Sequence, residues 1–287
     1  MRYEVPESIE AAVSLLAGAG GDARLLAGGT DLLVHMRGGR LKPALIVDIK
    51  NIPQMRSVTL EDGAYRVGAA VPCMALMGHE SFARTWPGIV DGVRMIGSIQ
   101  VKGRATLGGN LCNASPGADS VPALIAAGAI AIIAGPKGSR EVPVEEIAIA
   151  PGKTSLAQGE TIVSFLLARR PLRSGDAYLR FTPRTEMDIA VVGVGVNLTL
   201  DEGGVCRQAR VSLGAVAERA LRVPEAAATL IGTKVDAAAL ARLAEAASAA
   251  CRPIDDKRGT REFRIKVAGV LARRAAQAAL ERAQRNG

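Results

Sequence analysis

Two stretches of this chain repeat one pattern. Leu26-Ala27-Gly28-Gly29-Thr30-Asp31-Leu32 and Thr106-Leu107-Gly108-Gly109-Asn110-Leu111 each run from apolar residues through a glycine pair to a small polar side chain. Paired glycines reach backbone angles closed to other residues. Having no side chains, they let a ligand approach the main chain, where successive N–H groups can converge on an anion. A helix starting just after such a loop adds free N–H groups and its dipole. Each pair is expected to follow a short apolar strand, and Thr30, Thr106 and Asn110 add hydroxyl and amide donors. Brought together, the two segments could clamp both phosphates of a dinucleotide. A single glycine pair is more often a plain turn, so the inference rests on there being two. Gly18-Ala19-Gly20-Gly21-Asp22-Ala23 matches G-x-G-x-x-A by letter, but it follows a helical pattern rather than a strand, so it is read as a turn. Gly193-Val194-Gly195 lies inside a strand pattern and is set aside too.

The surrounding pattern is mixed α and β. Pro6 to Leu16 reads as a helix, with Pro6 just inside its start and Ile9, Ala12, Val13 and Leu16 at helical spacing. Arg24 to Ala27 and Leu45 to Ile49 read as short buried strands, with a helix through Met36 between them. Residues 1–55 therefore form one expected subdomain. Residues 56–170 form a second: a strand over Ala64–Ala70, helices opening near Pro72, Gly88 and Val121, and strands over 129–134, 141–144 and 161–167. From about Pro171 the pattern changes to a small antiparallel sheet, with strands over 177–183 and 190–200, a turn at Asp201-Glu202-Gly203-Gly204 and a return strand over 205–215. Helices are expected over 237–250 and 262–284. The class is α+β.

Composition removes several functions. Four cysteines at 73, 112, 206 and 251 form no C-x-x-C pair, and there are only two histidines, His35 and His79. The cysteine spacing suggests neither a zinc site nor an iron–sulfur cluster, and with two histidines neither a histidine-built metal site nor a catalytic triad is expected. A chain this poor in reactive groups borrows its chemistry from a cofactor or does none. The net charge is +8, but aromatic residues are only 3%, so there is no base-stacking platform for nucleic acid. The charge suits a phosphate-rich cofactor or an acidic partner. No apolar run reaches the roughly 18 residues of a membrane span, and Met1-Arg2-Tyr3-Glu4 does not open a signal peptide. A cytoplasmic protein is expected.

The same residues carry a family resemblance. Ala27-Gly28-Gly29-Thr30-Asp31-Leu32, the stretch from Ile96-Gly97-Ser98 through Lys102-Gly103-Arg104-Ala105-Thr106-Leu107-Gly108-Gly109-Asn110, then Ala114-Ser115-Pro116 and Ala118-Asp119-Ser120, resemble the flavin-binding segments of molybdenum hydroxylase medium subunits. This is the xanthine dehydrogenase, carbon monoxide dehydrogenase and hydroxybenzoyl-CoA reductase group. The likeness extends through Tyr178-Leu179-Arg180-Phe181 and Arg184-x-x-x-Asp188. It implies a two-subdomain FAD-binding fold of the PCMH/vanillyl-alcohol-oxidase type, followed by a C-terminal domain over 171–287. It implies FAD as cofactor, with molybdopterin and [2Fe–2S] clusters in partner subunits: an iron–sulfur small subunit and a molybdopterin large subunit, assembled as a dimer of heterotrimers. The cysteine-rich insertion of the hydroxybenzoyl-CoA reductases is absent.

Roles follow from the resemblance alone. Leu26, Ala27, Gly28, Gly29, Thr30, Asp31 and Leu32 would wrap the FAD diphosphate together with Thr106, Leu107, Gly108, Gly109 and Asn110. Ile96 and Ile162 would line the cofactor. Asp119 stands where relatives have a flavin-contacting aspartate, Arg180 where they often carry a lysine near the ring, and Tyr178 is a candidate to cover it. The implied function is electron relay from iron–sulfur clusters through FAD to an external acceptor. A stand-alone flavin reductase of the related cell-wall precursor type is the alternative, and a scaffold that lost its flavin a second. Asp31 could instead cap the following helix. Cys112 is expected as a small buried residue, His35 and His79 as surface or capping residues, and Arg258 to Arg264 with Arg273-Arg274 as a solvated basic face, with a subunit contact as the alternative.

Overall fold

The computed structural model describes all residues, 1–287. The chain begins as β1 (Arg2–Glu4), α1 (Ile9–Gly18), β2 (Ala23–Leu26), α2 (Leu32–Arg37) and β3 (Leu45–Asp48). The three strands form a parallel sheet in the order β1-β3-β2. Helix α1 starts later than expected, with Pro6 outside it, because Ser8 caps it: its Oγ accepts from the Ala11 amide at 3.1 Å. The glycine run after α1 is the turn into β2, with Gly20 and Gly21 both at positive φ.

A second, antiparallel sheet follows. It is built from β4 (Val58–Glu61), β5 (Ala64–Gly68), β6 (Ile130–Gly135), β7 (Gly138–Pro143) and β8 (Thr161–Leu167), ordered β4-β5-β8-β6-β7. Between β5 and β6 run the helices α3 (Cys73–Gly78), α4 (Glu80–Thr85), α5 (Pro87–Arg94), α6 (Leu107–Cys112) and α7 (Ser120–Ala127). Phe82, Ile89, Leu111, Leu124 and Phe165 are fully buried between these helices and the sheet. The smaller core of Ala12, Leu16, Val47 and Ile52 also takes in Ala70 and Val163, so the first sheet packs directly against the second. His79 caps α4, its Nδ1 accepting from the Phe82 amide.

The last part is an antiparallel sheet of β9 (Ser174–Phe181), β10 (Val192–Leu200), β11 (Cys206–Gly214) and β12 (Leu221–Arg222), covered by α8 (Ala237–Ala250) and α9 (Arg261–Arg285). Alanines on α9 let it lie close on β9 and β10. A Cβ at Gly175 would come within 2.0 Å of the Ala279 carbonyl oxygen. Gly193 and Gly195 are packing glycines as well: side chains there would strike Tyr178 and the Pro122 carbonyl. Arg264 corrects the expected solvated face. It is 3% exposed and donates to the Val191 carbonyl and to Asp256, each at 2.7 Å, so it ties the start of α9 to the sheet. Arg273 and Arg274 do face solvent.

Ion pairs join this last part to the second. Arg282 meets Asp91 at 2.6 Å, Arg210 meets Glu145 at 2.9 Å, and the buried Arg170 meets Asp176 at 2.7 Å. Asp176 also accepts from the Gly88 amide at 2.9 Å. No helix is long and apolar enough to cross a membrane.

Candidate functional site

The first glycine segment sits at the carboxyl end of β2, the end of a parallel sheet where α/β proteins place ligands. Gly28 permits a close approach: its Cβ would stand 2.1 Å from the Arg104 carbonyl oxygen. Gly29 is left-handed, at φ +76°. The chain is thus bent so that the main-chain amides of residues 27 to 32 donate to no acceptor within the protein. Unpaired main-chain donors are uncommon unless water or a ligand takes them. Asp31 occupies the cap position of α2 but makes no capping bond. Its carboxylate accepts from Asn113 Nδ2 at 3.2 Å, a link across to the second segment.

The second segment differs from the sequence expectation. A helical turn, Ile99–Lys102, precedes it rather than a strand, and Gly108 and Gly109 lie inside the first turn of α6. Thr106 is the cap, its Oγ1 accepting from the Gly109 amide at 3.0 Å. The Gly108 amide donates to Ala69 and the Asn110 amide to Thr106. The N–H groups of residues 108 to 110 are therefore spent within the chain. What the segment turns outward is a bare main chain. Gly108 is fixed by packing, since its Cβ would lie 2.7 Å from the Ala69 carbonyl oxygen. A Cβ on Gly109 would meet only its own cap, at 3.1 Å.

The two segments face each other across a cleft of about 650 Å³. Ala27 through Leu32 line one wall; Thr106, Gly108, Gly109 and Asn110 line the other. Ile96 and Ile162 line it as well and, with Ala69 and Leu156, make one part apolar. Leu26 and Leu107 do not reach it. Leu107 is buried in the core, and Leu26 packs its side chain behind Gly29. The stretch Ala157 to Thr161, together with Gly152 and Thr154, closes the cleft. Sequence reasoning passed over this stretch; its signal was the turn residues Pro151-Gly152 and Gln158-Gly159 beside a strand. Arg24, His35, Cys112 and Asn113 also line the space. Cys112 is exposed there, not buried as expected.

Asp119 and Arg180 are brought together with each other but do not line this cleft. Arg180 meets Asp119 at 2.7 Å, and the Tyr178 hydroxyl donates to the same carboxylate at 2.9 Å. All three side chains are buried. Burial pushes the Asp119 carboxyl up to about 6, against the pull of Arg180 and Tyr178. The cluster ties the start of α7 to β9 of the C-terminal domain. It adjoins the cleft through Ser120, whose amide and hydroxyl both donate to Asn110 Oδ1.

Comparison with known proteins agrees along the whole chain. Residues 1–167 match the family model for the FAD binding domain in molybdopterin dehydrogenase, and residues 177–279 the model for the CO dehydrogenase flavoprotein C-terminal domain. The carbon monoxide dehydrogenase medium chain of Afipia carboxidovorans is 34% identical over 282 residues, 98% of this chain and 97% of the relative. The putative xanthine dehydrogenase FAD-binding subunit of Escherichia coli is 30% identical over 274 residues, covering 95% of this chain and 93% of that one. Among solved structures, reconstituted CO dehydrogenase from Oligotropha carboxidovorans superposes with a TM-score of 0.94 at 33% identity, over 98% of both chains. Quinoline 2-oxidoreductase from Pseudomonas putida superposes at 0.90 and 29% identity, over 99% of this chain and 98% of that one. The fold is therefore an FAD-binding α+β domain followed by a C-terminal α+β domain, and the chain belongs to the FAD-binding medium-subunit family of the molybdenum hydroxylases, as one subunit of an FAD-dependent oxidoreductase complex.

Proposed function

We propose that this subunit holds FAD in the cleft between its two glycine segments, and that it relays electrons from the [2Fe–2S] clusters of an iron–sulfur small subunit to an external acceptor. The observation that carries the reading is the run of unpaired amides at residues 27 to 32 along a cleft that turns apolar beyond them. A diphosphate linked to a flat ring system has matching chemistry: anionic oxygens for the amides, an apolar surface for Ile96 and Ile162. The bare main chain at Gly109 leaves room that a side chain would fill.

FAD, when bound, supplies the redox chemistry that no side chain here can supply. The protein's own residues bind and orient it. The amides of Ala27, Gly28, Gly29, Thr30, Asp31 and Leu32 hold the diphosphate, and the positive charge of Arg24 adds to their field. Thr106 fixes the first turn of α6 opposite. Gly108 lets that turn lie against Ala69, and Asn110 offers its side-chain amide. Leu26 and Leu107 support the two segments from behind. Asp119 and Arg180 neutralise one another, so Arg180 serves to anchor α7 to β9 rather than as a free cation.

The reading includes a molybdopterin large subunit as the source of electrons, a dimer of heterotrimers and a cytoplasmic location. It divides the chain at 55/56 and 170/171. The match of residues 177–279 to the CO dehydrogenase flavoprotein C-terminal model favours it over a stand-alone reductase. The test is to titrate the deflavinated chain with FAD, FMN and riboflavin, and to isolate the chain with its partners from its native cells. FAD should bind far more tightly than riboflavin, which lacks phosphate, and a molybdopterin protein and a two-iron protein should co-purify. Equal binding of FAD and riboflavin would remove the diphosphate from the account. A chain recovered alone, with its own reductase activity, would favour the alternative.

A further inference from the structure

The Asn110 side chain is held from outside its own segment. Ser120, fully buried in the first turn of α7, donates to Asn110 Oδ1 twice: from its main-chain amide at 3.3 Å and from its hydroxyl at 2.6 Å. A main-chain N–H can only donate, so the Asn110 atom facing it is the oxygen. Nδ2 then finds no acceptor in the chain, although Asn110 lines the cleft. Ser120 is itself fixed by its neighbour, since Asp119 is bound to Tyr178 and Arg180 of the C-terminal domain.

We propose that Ser120 is a positioning residue for the cofactor: it locks the Asn110 amide so that Nδ2 is presented to the cleft as a preset donor. Resting on the assignment of FAD to this cleft, the proposal adds a residue that never touches the cofactor. It also gives the C-terminal domain a route into the site, from Arg180 and Tyr178 through Asp119 and Ser120 to Asn110. A free asparagine amide can rotate or reverse its two ends, and it must be ordered when the ligand arrives. Removing the hydroxyl leaves only the longer main-chain bond to oppose that rotation, a loss of one charge-neutral hydrogen bond and roughly tenfold in affinity.

The test is a double-mutant cycle on the full-length chain, stripped of flavin and titrated with FAD, with thermal midpoints recorded alongside. Ser120→Ala should bind FAD roughly tenfold more weakly, and Asn110→Ala at least as weakly. The double variant should lose nothing beyond Asn110→Ala, because the hydroxyl acts only through that amide. Ser120→Thr, which keeps the hydroxyl, should bind near the wild-type level. Should Ser120→Ala not fold, Ser120→Cys preserves the volume with a weak donor and should show the same loss. Wild-type affinity in Ser120→Ala or Ser120→Cys, or a double variant whose loss is the product of the single losses, overturns the positioning role. Wild-type affinity in Asn110→Ala overturns it too, and in that case removes Asn110 from the FAD site.

Discussion

Gly109→Ala separates what the fold needs from what the cofactor needs. In the protein alone, the added methyl group would meet a single atom within 4 Å, Thr106 Oγ1 at 3.1 Å. Replacing a helical glycine by alanine gains about 0.5–1 kcal/mol in backbone entropy, which offsets most of that contact. The deflavinated variant should therefore keep its thermal midpoint to within a few degrees. With FAD packed on the bare main chain, the methyl group intrudes on the ligand. Overpacking of this kind costs about 1–3 kcal/mol, which is roughly 5- to 150-fold in dissociation constant. Gly28→Ala is the control of opposite kind. Its Cβ would stand 2.1 Å from the Arg104 carbonyl oxygen, so the two segments must part and the unliganded midpoint itself should fall. The assay is quenching of flavin fluorescence on titration of each deflavinated chain, with melting curves beside it. A Gly109→Ala variant that melts and binds FAD like the wild type would refute the assignment of this wall to the cofactor.

Two other predictions concern the buried charges. Arg170→Met leaves Asp176 buried with only the Gly88 amide and the more distant Arg282 to offset it. Breaking a buried pair from one side costs about 3–5 kcal/mol, to be read from urea unfolding; an unchanged midpoint would contradict it. Asp119 gives a pH signature. Its folded pKa of about 6 lies above the ordinary 3.8, so the folded state holds the proton more tightly than the unfolded chain does. Its contribution is most favourable below pH 3.8 and is lost as pH rises through 6. Relative to Asp119→Asn, wild-type stability should fall by about 3 kcal/mol across that window, measured by denaturant unfolding at stepped pH. A constant difference would show that Asp119 titrates normally.

Much of the architecture was legible in the sequence because its elements are locally encoded. The apolar run in β10, the Asp201–Gly204 turn and the long α9 all declare themselves through period and turn chemistry. The first glycine segment did so too, since β2 and α2 flank it as the pattern implied. The second misled for a local reason: Thr106 stands three residues before Gly109, the spacing of a helix cap, and that signal outweighs the apolar residues read as a strand. Other features have no local signature. The strand order β1-β3-β2 depends on the three residues Arg2–Glu4, too short a run to show a period. Burial of Arg264 depends on carbonyls at Val191 and Ala215, more than forty positions away. The cluster of Asp119 with Tyr178 and Arg180 forms only when two domains meet. The family likeness marked all three positions for the flavin, and the geometry joins them to each other.

The central claim concerns the main-chain amides of residues 27 to 32, and a crystal structure of the chain with FAD bound tests it directly. The account predicts diphosphate oxygens within hydrogen-bonding distance of several of those amides, with Gly109 in van der Waals contact with the cofactor. A diphosphate lodged elsewhere, for instance in the groove between α1 and the β6–β7 hairpin, with those amides left to solvent, would contradict it.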